Sequence, residues 1–279
     1  MVKKVVITGA NSGIGLATAR ILAQGGFDVV ALCRNETKGQ NAVKEIQKAG
    51  PKSTVSFIQC DLSDFESVKK AADKINQDHP QVDVLINNAG YYPPEIIWEG
   101  ELEKSLKASH LGHMLLTLRI MPTLEAVPEA RIINVSSAAH NMGKVERFFK
   151  HNEKLSGIQA HGDAKLANVL LSMGLRDHAP KNVTSYSLHP GVVKTNFGEN
   201  LSGFWKGVLT LFTPIMMTPS KGAQTSVYLA TAPIESLRNH NGGYFEKKRI
   251  KKTRNKDVHK SKADWLWTKS MDYLEPHLN

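Results

Sequence analysis

The chain has 279 residues, 41% hydrophobic and 22% charged, with a mean hydropathy of −0.30. That balance excludes disordered and fibrous classes and is that of a soluble globular protein able to bury one substantial core. The formal charge of +10 is uneven: nine Lys/Arg against one Asp lie between Lys247 and Lys262, and the remainder is near neutral; such a run either is a solvated segment or meets an anionic surface, membrane or nucleic acid.

Short Val/Ile-rich runs alternate along the chain with longer stretches of helical period. The pattern predicts strands over Lys4–Ile7, Asp28–Cys33, Thr54–Cys60, Val82–Asn87, Arg131–Ser136 and Val183–Leu188. A first helix should open at Ile14 and close near Gly25-Gly26, where glycine permits a left-handed stop. Further helices are predicted over Lys38–Ala49, Phe65–Gln77, Leu102–Leu124, Ile158–His178 and Lys221–Thr231. Trp265, Leu266, Trp267, Met271 and Leu274 suggest a last amphipathic helix that docks on the body or on another subunit. Strands alternating with helices imply an α/β chain, a single domain over residues 1–279 with a doubly wound parallel sheet and helices on both faces.

Cys33 and Cys60 each end an apolar run and belong to no metal or redox spacing, which points to a reducing compartment without structural metal. Apolar residues from Val5 lead straight into a glycine-rich turn, so no export signal is legible, and the apolar stretch from Gly203 to Met217 is interrupted by Lys206 and Pro214. A cytoplasmic protein is the expectation. His110 and His113 lack a third ligand at a recognised spacing and read as core or surface histidines, so no metal site is expected. The basic run carries no interleaved aromatic residues, and nucleic acid is not expected as a partner.

Thr8-Gly9-Ala10-Asn11-Ser12-Gly13-Ile14-Gly15 follows the first strand and opens the first helix. Glycines there let backbone approach a pyrophosphate, and the helix N-terminus offers free N–H groups and positive dipole. Arg34 ends the second strand, where an acidic side chain would bind a free ribose 2′-OH; a guanidinium suits a phosphate instead, so NADP(H) is expected rather than NAD(H), with Lys38 assisting.

The T-G-x-x-x-G-x-G spacing resembles the short-chain dehydrogenase/reductase family, a Rossmann-type fold, and further motifs follow in that family's order. Asp61, with Leu62, comes after the third strand, where the family contacts adenine. Asn87-Asn88-Ala89-Gly90 matches the N-N-A-G motif beside the cofactor. His189-Pro190-Gly191-Val192-Val193-Lys194-Thr195 resembles the P-G motif whose Pro190, Gly191, Val193 and Thr195 positions lie at the nicotinamide end. The similarity runs from Val5 to about Phe245. Within the family, Cys33-Arg34, His110-Leu111-Gly112-His113, Ser136-Ser137-Ala138-Ala139-His140 and Lys165 to Leu170 resemble the retinol dehydrogenase-like and WW-domain oxidoreductase-like members.

That resemblance implies an NADP(H)-dependent oxidoreductase interconverting carbonyl and alcohol. Ser137 matches the serine that binds the substrate carbonyl, with Ser136 as the less favoured candidate, and Lys165 matches the lysine that binds the nicotinamide ribose. The family's Y-x-x-x-K reads His161-Gly162-Asp163-Ala164-Lys165 here, and its asparagine falls at Ser109. His161 is either an atypical acid or a spacer, which leaves two readings open: an enzyme with altered proton transfer, or an impaired NADP(H)-binding protein that senses or scaffolds. The apolar segment of about 195–219 corresponds to the family's substrate lid and implies a lipophilic substrate; a peripheral membrane contact and a helix packed on the core are its other readings. A basic segment of about 247–279 follows, and a homo-oligomer is implied by resemblance alone.

Overall fold

The computed structural model describes residues 2–90, 95–191 and 217–278. In chain order it contains β1 (Lys4–Thr8), α1 (Gly13–Gln24), β2 (Asp28–Cys33), α2 (Glu36–Ala49), β3 (Val55–Gln59), α3 (Phe65–Asp78) and β4 (Val84–Asn87). A two-stranded ribbon, β5 (Trp98–Glu99) and β6 (Leu102–Glu103), then leads into α4 (Lys104–Leu106), α5 (Gly112–Arg119) and α6 (Met121–Glu125). The second half holds β7 (Ala130–Val135), α7 (Gly157–His178), β8 (Val183–His189), β9 (Tyr244–Glu246), β10 (Arg249–Lys251) and a last helix, Lys260–Leu278.

Among the described residues eight strands form one sheet in the order β10-β9-β8-β7-β4-β1-β2-β3. All neighbours pair in parallel except β9 and β10. Period two along each strand divides its side chains between two cores. Val6, Val30, Leu85 and Ile132 enter one cluster with residues of α3, α5 and α7, whereas Val5, Ile7, Val29, Ile86 and Ile133 enter the other with residues of α1 and α2. Burial on both faces is why these strands read as almost unbroken apolar runs. The order reverses beside β1, so a crevice opens between the carboxyl ends of β1 and β4.

The expected doubly wound sheet is thus present, with an antiparallel edge that the sequence pattern did not foretell. The helix expected over Leu102–Leu124 is instead several pieces. Leu102 pairs with Glu99 in the ribbon, a π-turn occupies Lys107–Leu111, and the helix stops at Arg119 before restarting with Pro122 in its first turn. Pro122 has no N–H to continue the ladder but is suited to a helix start. The helix expected over Lys221–Thr231 likewise divides into Pro219–Gly222 and Gln224–Thr231. The last helix docks on the body through Ala263, Leu266, Ser270 and Leu274, with Trp267 against Gly174. Among the described residues no helix is long and apolar enough to cross a membrane.

Candidate active site

The glycine turn, Arg34, Asp61, Asn88 to Gly90, Ser137 and Pro190-Gly191 each follow the carboxyl end of a parallel strand. The bend of Asn11, Ser12, Gly13 and Ile14 joins β1 to α1, and Gly9 and Gly13 take φ of +65° and +54°. The first turn of α1 lies so close that a Cβ on Gly15 would stand 2.3 Å from the Gly9 carbonyl oxygen and 2.4 Å from the Asn88 amide nitrogen. Ser12 makes no side-chain capping bond and the first turn holds no acid. The leading N–H groups of α1 therefore keep their capacity for an anion, and the cradle fits a pyrophosphate.

Thr8 fixes this loop to its neighbours. Its Oγ1 accepts from Asn88 N and Ala89 N, both at 2.9 Å, and lies 2.8 Å from His113 Nε2. His113 Nδ1 faces the Ser109 carbonyl at 2.9 Å, so Nδ1 carries the proton and Nε2 accepts the Thr8 hydroxyl. Burial holds this imidazole down at about 3, which keeps it neutral. Asn88 adds a bond from its amide to the Thr8 carbonyl at 2.8 Å. Ser109 sits in the π-turn, buried, with a hydroxyl that has no partner among the described residues. His110 bonds Ser270 Oγ at 2.8 Å, and these two histidines build the core and its links.

Arg34 extends from the end of β2 with its side chain 72% exposed, and Nε lies 4.0 Å from Asp61 Oδ2. The other Asp61 oxygen accepts from Ser63 N and Oγ at 2.9 and 2.7 Å, which closes the turn after β3. Leu62 is buried there, and a Cβ on Gly112 would stand 2.2 Å from its carbonyl oxygen. The Lys38 backbone N–H donates to the Asn35 cap of α2. Burial raises both thiols, Cys60 to about 12, and both cysteines are free.

Helix α7 carries the remaining groups. It opens with a capping box between Ser156 and Gln159 and runs buried from Ala160 to Ser172. Gly162 and Gly143 let the loop after β7 press onto it: a Cβ on Gly143 would stand 2.6 Å from the Gly162 carbonyl oxygen. Ser136 is committed to that packing, donating to the Lys165 carbonyl at 2.7 Å. Ser137 is partly exposed and its Oγ accepts from Ala139 N at 3.2 Å, which leaves its hydroxyl proton without an acceptor among the described residues. Lys165 Nζ donates to the Val135 carbonyl at 3.1 Å and would stand 3.2 Å from a Cβ on Gly90. Burial brings this ammonium down from 10.5 to about 8. His161 lies one turn earlier, 6% exposed. Arg147 grips the Asp163 carboxylate, which also accepts from Lys144 N at 2.8 Å.

Asn88, Ala89 and Gly90 after β4 and Pro190 and Gly191 after β8 join this edge, and Gly191 takes φ of +93°. Val193, Thr195 and nearly all of the expected lid lie outside the described residues. His113, Arg147 and Asp163 were not singled out as site-building residues from sequence, and Thr8 was read only as the first residue of the glycine-rich motif. Their signal is a polar side chain in an otherwise apolar run, which names no partner.

The short chain dehydrogenase family matches residues 3–203. The chain belongs to that family. It is 37% identical to human retinol dehydrogenase 12 over 279 aligned residues, covering 98% of this chain and 86% of that protein. Among solved structures, an uncharacterized protein from Mycobacterium paratuberculosis superposes with a TM-score of 0.76 at 27% identity, covering 98% of this chain and 93% of the other. L-Sorbose reductase from Gluconobacter frateurii, complexed with NADPH and L-sorbose, gives 0.69 at 21% identity over 88% and 94% of the two chains and supports the fold. Short-chain dehydrogenases are oxidoreductases that bind nicotinamide cofactors, and this chain is retinol dehydrogenase-like.

Proposed function

We propose that this protein is an NADP(H)-dependent oxidoreductase that interconverts a carbonyl and an alcohol on a lipophilic substrate, with proton transfer altered by His161. The observation that carries this reading is Lys165: a buried ammonium with three donors has one acceptor among the described residues, the Val135 carbonyl, and faces Gly90. A cation buried with donors to spare costs stability, which is explained by a ligand rich in hydroxyls or charge. The cofactor supplies a hydride when bound.

Gly9, Asn11, Ser12, Gly13, Ile14 and Gly15 would hold the pyrophosphate, and Arg34 would pair with a 2′-phosphate. Asp61, Leu62 and Asn88 to Gly90 would flank the adenosine and ribose, with Pro190, Gly191, Val193 and Thr195 toward the nicotinamide. Lys165 anchors ribose hydroxyls. Ser137 uses its uncommitted hydroxyl proton to polarise the substrate carbonyl. His161, on the turn before Lys165, then delivers the proton directly or through a water. The retinol dehydrogenase relatives and the apolar segment after Gly191 support a lipophilic substrate.

A second reading, cofactor binding without turnover, is favoured by the two replacements at the proton-handling positions, His161 and Ser109. Cofactor binding is measured by calorimetry and turnover by NADPH oxidation across aldehydes and ketones. Under the enzyme reading, His161→Tyr raises kcat by about 100-fold, the ordinary contribution of a placed general acid. Tight cofactor binding with no turnover in either protein would sink the enzyme reading.

A further inference from the structure

The basic run between Lys247 and Lys262 is not used by the site described above, and its placement is specific. β9 pairs with β8 so that Glu246 is level with His189. The hairpin turn at Lys247-Lys248 therefore projects past the carboxyl edge of the sheet, the edge at which the cofactor and substrate residues gather. The chain after β10 then returns to the loop that follows Ser137. Asn255 donates its amide to the His140 and Gly143 carbonyls at 2.6 and 2.8 Å, and Arg254 N bonds Asn141. Asp257, the one acid in the run, accepts from Val145 N at 2.8 Å. The carboxylate is thus spent on the backbone. Lys247, Lys248, Arg249, Lys251, Lys252, Arg254 and Lys256 are exposed, and none is in an ion pair among the described residues. Among the described residues Lys260 alone in the run is paired, with Asp177 and Asp264.

The turn itself is a second observation. Arg249 opposes Glu246, so the loop has two residues, and both take positive φ, +51° at Lys247 and +64° at Lys248. A two-residue turn of this kind favours Asn-Gly, because a Cβ is strained at both positions. Two lysines therefore occupy positions that carry backbone strain, at the tip of the basic hairpin.

We propose that this hairpin and the following segment dock the protein on an anionic lipid bilayer, turning the mouth of the active site toward the membrane. The absence of Trp, Tyr or Phe between Lys247 and Lys262 argues against base stacking and for shallow electrostatic adsorption on lipid headgroups. The choice of a bilayer over another polyanion rests on the lipophilic-substrate reading, and the test needs neither substrate nor turnover, so each idea fails separately.

The full chain is floated with vesicles of phosphatidylcholine alone and of phosphatidylcholine with phosphatidylserine, at low and high salt, beside a single-stranded RNA. Binding is expected only to the vesicles containing phosphatidylserine and is abolished by salt. The double variant Lys247→Asn, Lys248→Gly removes two charges and relieves the turn, so it melts no lower than the parent yet binds about 30-fold more weakly, at roughly fivefold per charge. No binding at low salt, undiminished binding by this variant, or a preference for RNA over the vesicles would each overturn the proposal.

Discussion

Replacing Lys165 by methionine should make the folded protein more stable while disabling it. With its ammonium brought from 10.5 to about 8 by burial alone, the folded state holds that charge about 3 kcal/mol less favourably than the unfolded chain, at roughly 1.4 kcal/mol per pH unit. Methionine fills similar volume without the charge. The Val135 carbonyl is not orphaned, because Asn168 Nδ2 also donates to it at 3.2 Å. Below pH 8 the lysine is protonated in both states and the full cost is present. Between pH 8 and 10.5 the folded state releases its proton while the unfolded chain keeps it, so wild-type stability rises with pH; above 10.5 both are neutral. Urea denaturation of cofactor-free protein should therefore find Lys165→Met about 2–3 kcal/mol more stable at pH 7, with the gap closing toward alkaline pH, and calorimetry should find cofactor binding impaired. A variant less stable than wild type at pH 7, or a gap that is constant with pH, would refute the argument.

Arg34→Gln should weaken NADPH binding by about 10- to 100-fold and leave NADH binding unchanged, since one charge-assisted bond to phosphate is lost; equal losses for both, measured by calorimetry, would contradict the 2′-phosphate role. Arg147→Met strands a buried Asp163 carboxylate and should cost about 3 kcal/mol in urea denaturation, most of it recovered when Asp163→Asn is added. A cost below about 1 kcal/mol would assign the pair no structural weight. Gly15→Ala places a Cβ 2.3 Å from a backbone oxygen and should lower cofactor affinity at least about tenfold by displacing the loop; wild-type affinity would show that the close approach is unneeded.

The alternation of apolar strands with amphipathic helices was legible because it is local: each strand of the parallel core carries its own burial pattern, and strand ends agree with the structure within a residue or two. The glycine turn, Asn88 to Gly90, Ser137 and Lys165 could be named as candidates from the sequence because short motifs there resemble those of the short-chain dehydrogenase/reductase family. β9 and β10 were missed because three residues each, joined by Lys-Lys instead of Asn-Gly, carry almost no strand signal. The π-turn around Ser109 was missed because an extra residue in a turn leaves the apolar periodicity nearly intact.

Taken alone, the sequence determined where the six longer strands of the parallel core end, because propensity, periodicity and turn residues act over a few positions. Only the tertiary structure decided which of those ends meet. His113 reaches Thr8 across 105 residues, and Asp257 gives its carboxylate to Val145 across 112. Lys165 is unremarkable as a letter in the chain; its lowered basicity exists only once β7, Gly90 and α7 close around it and exclude water.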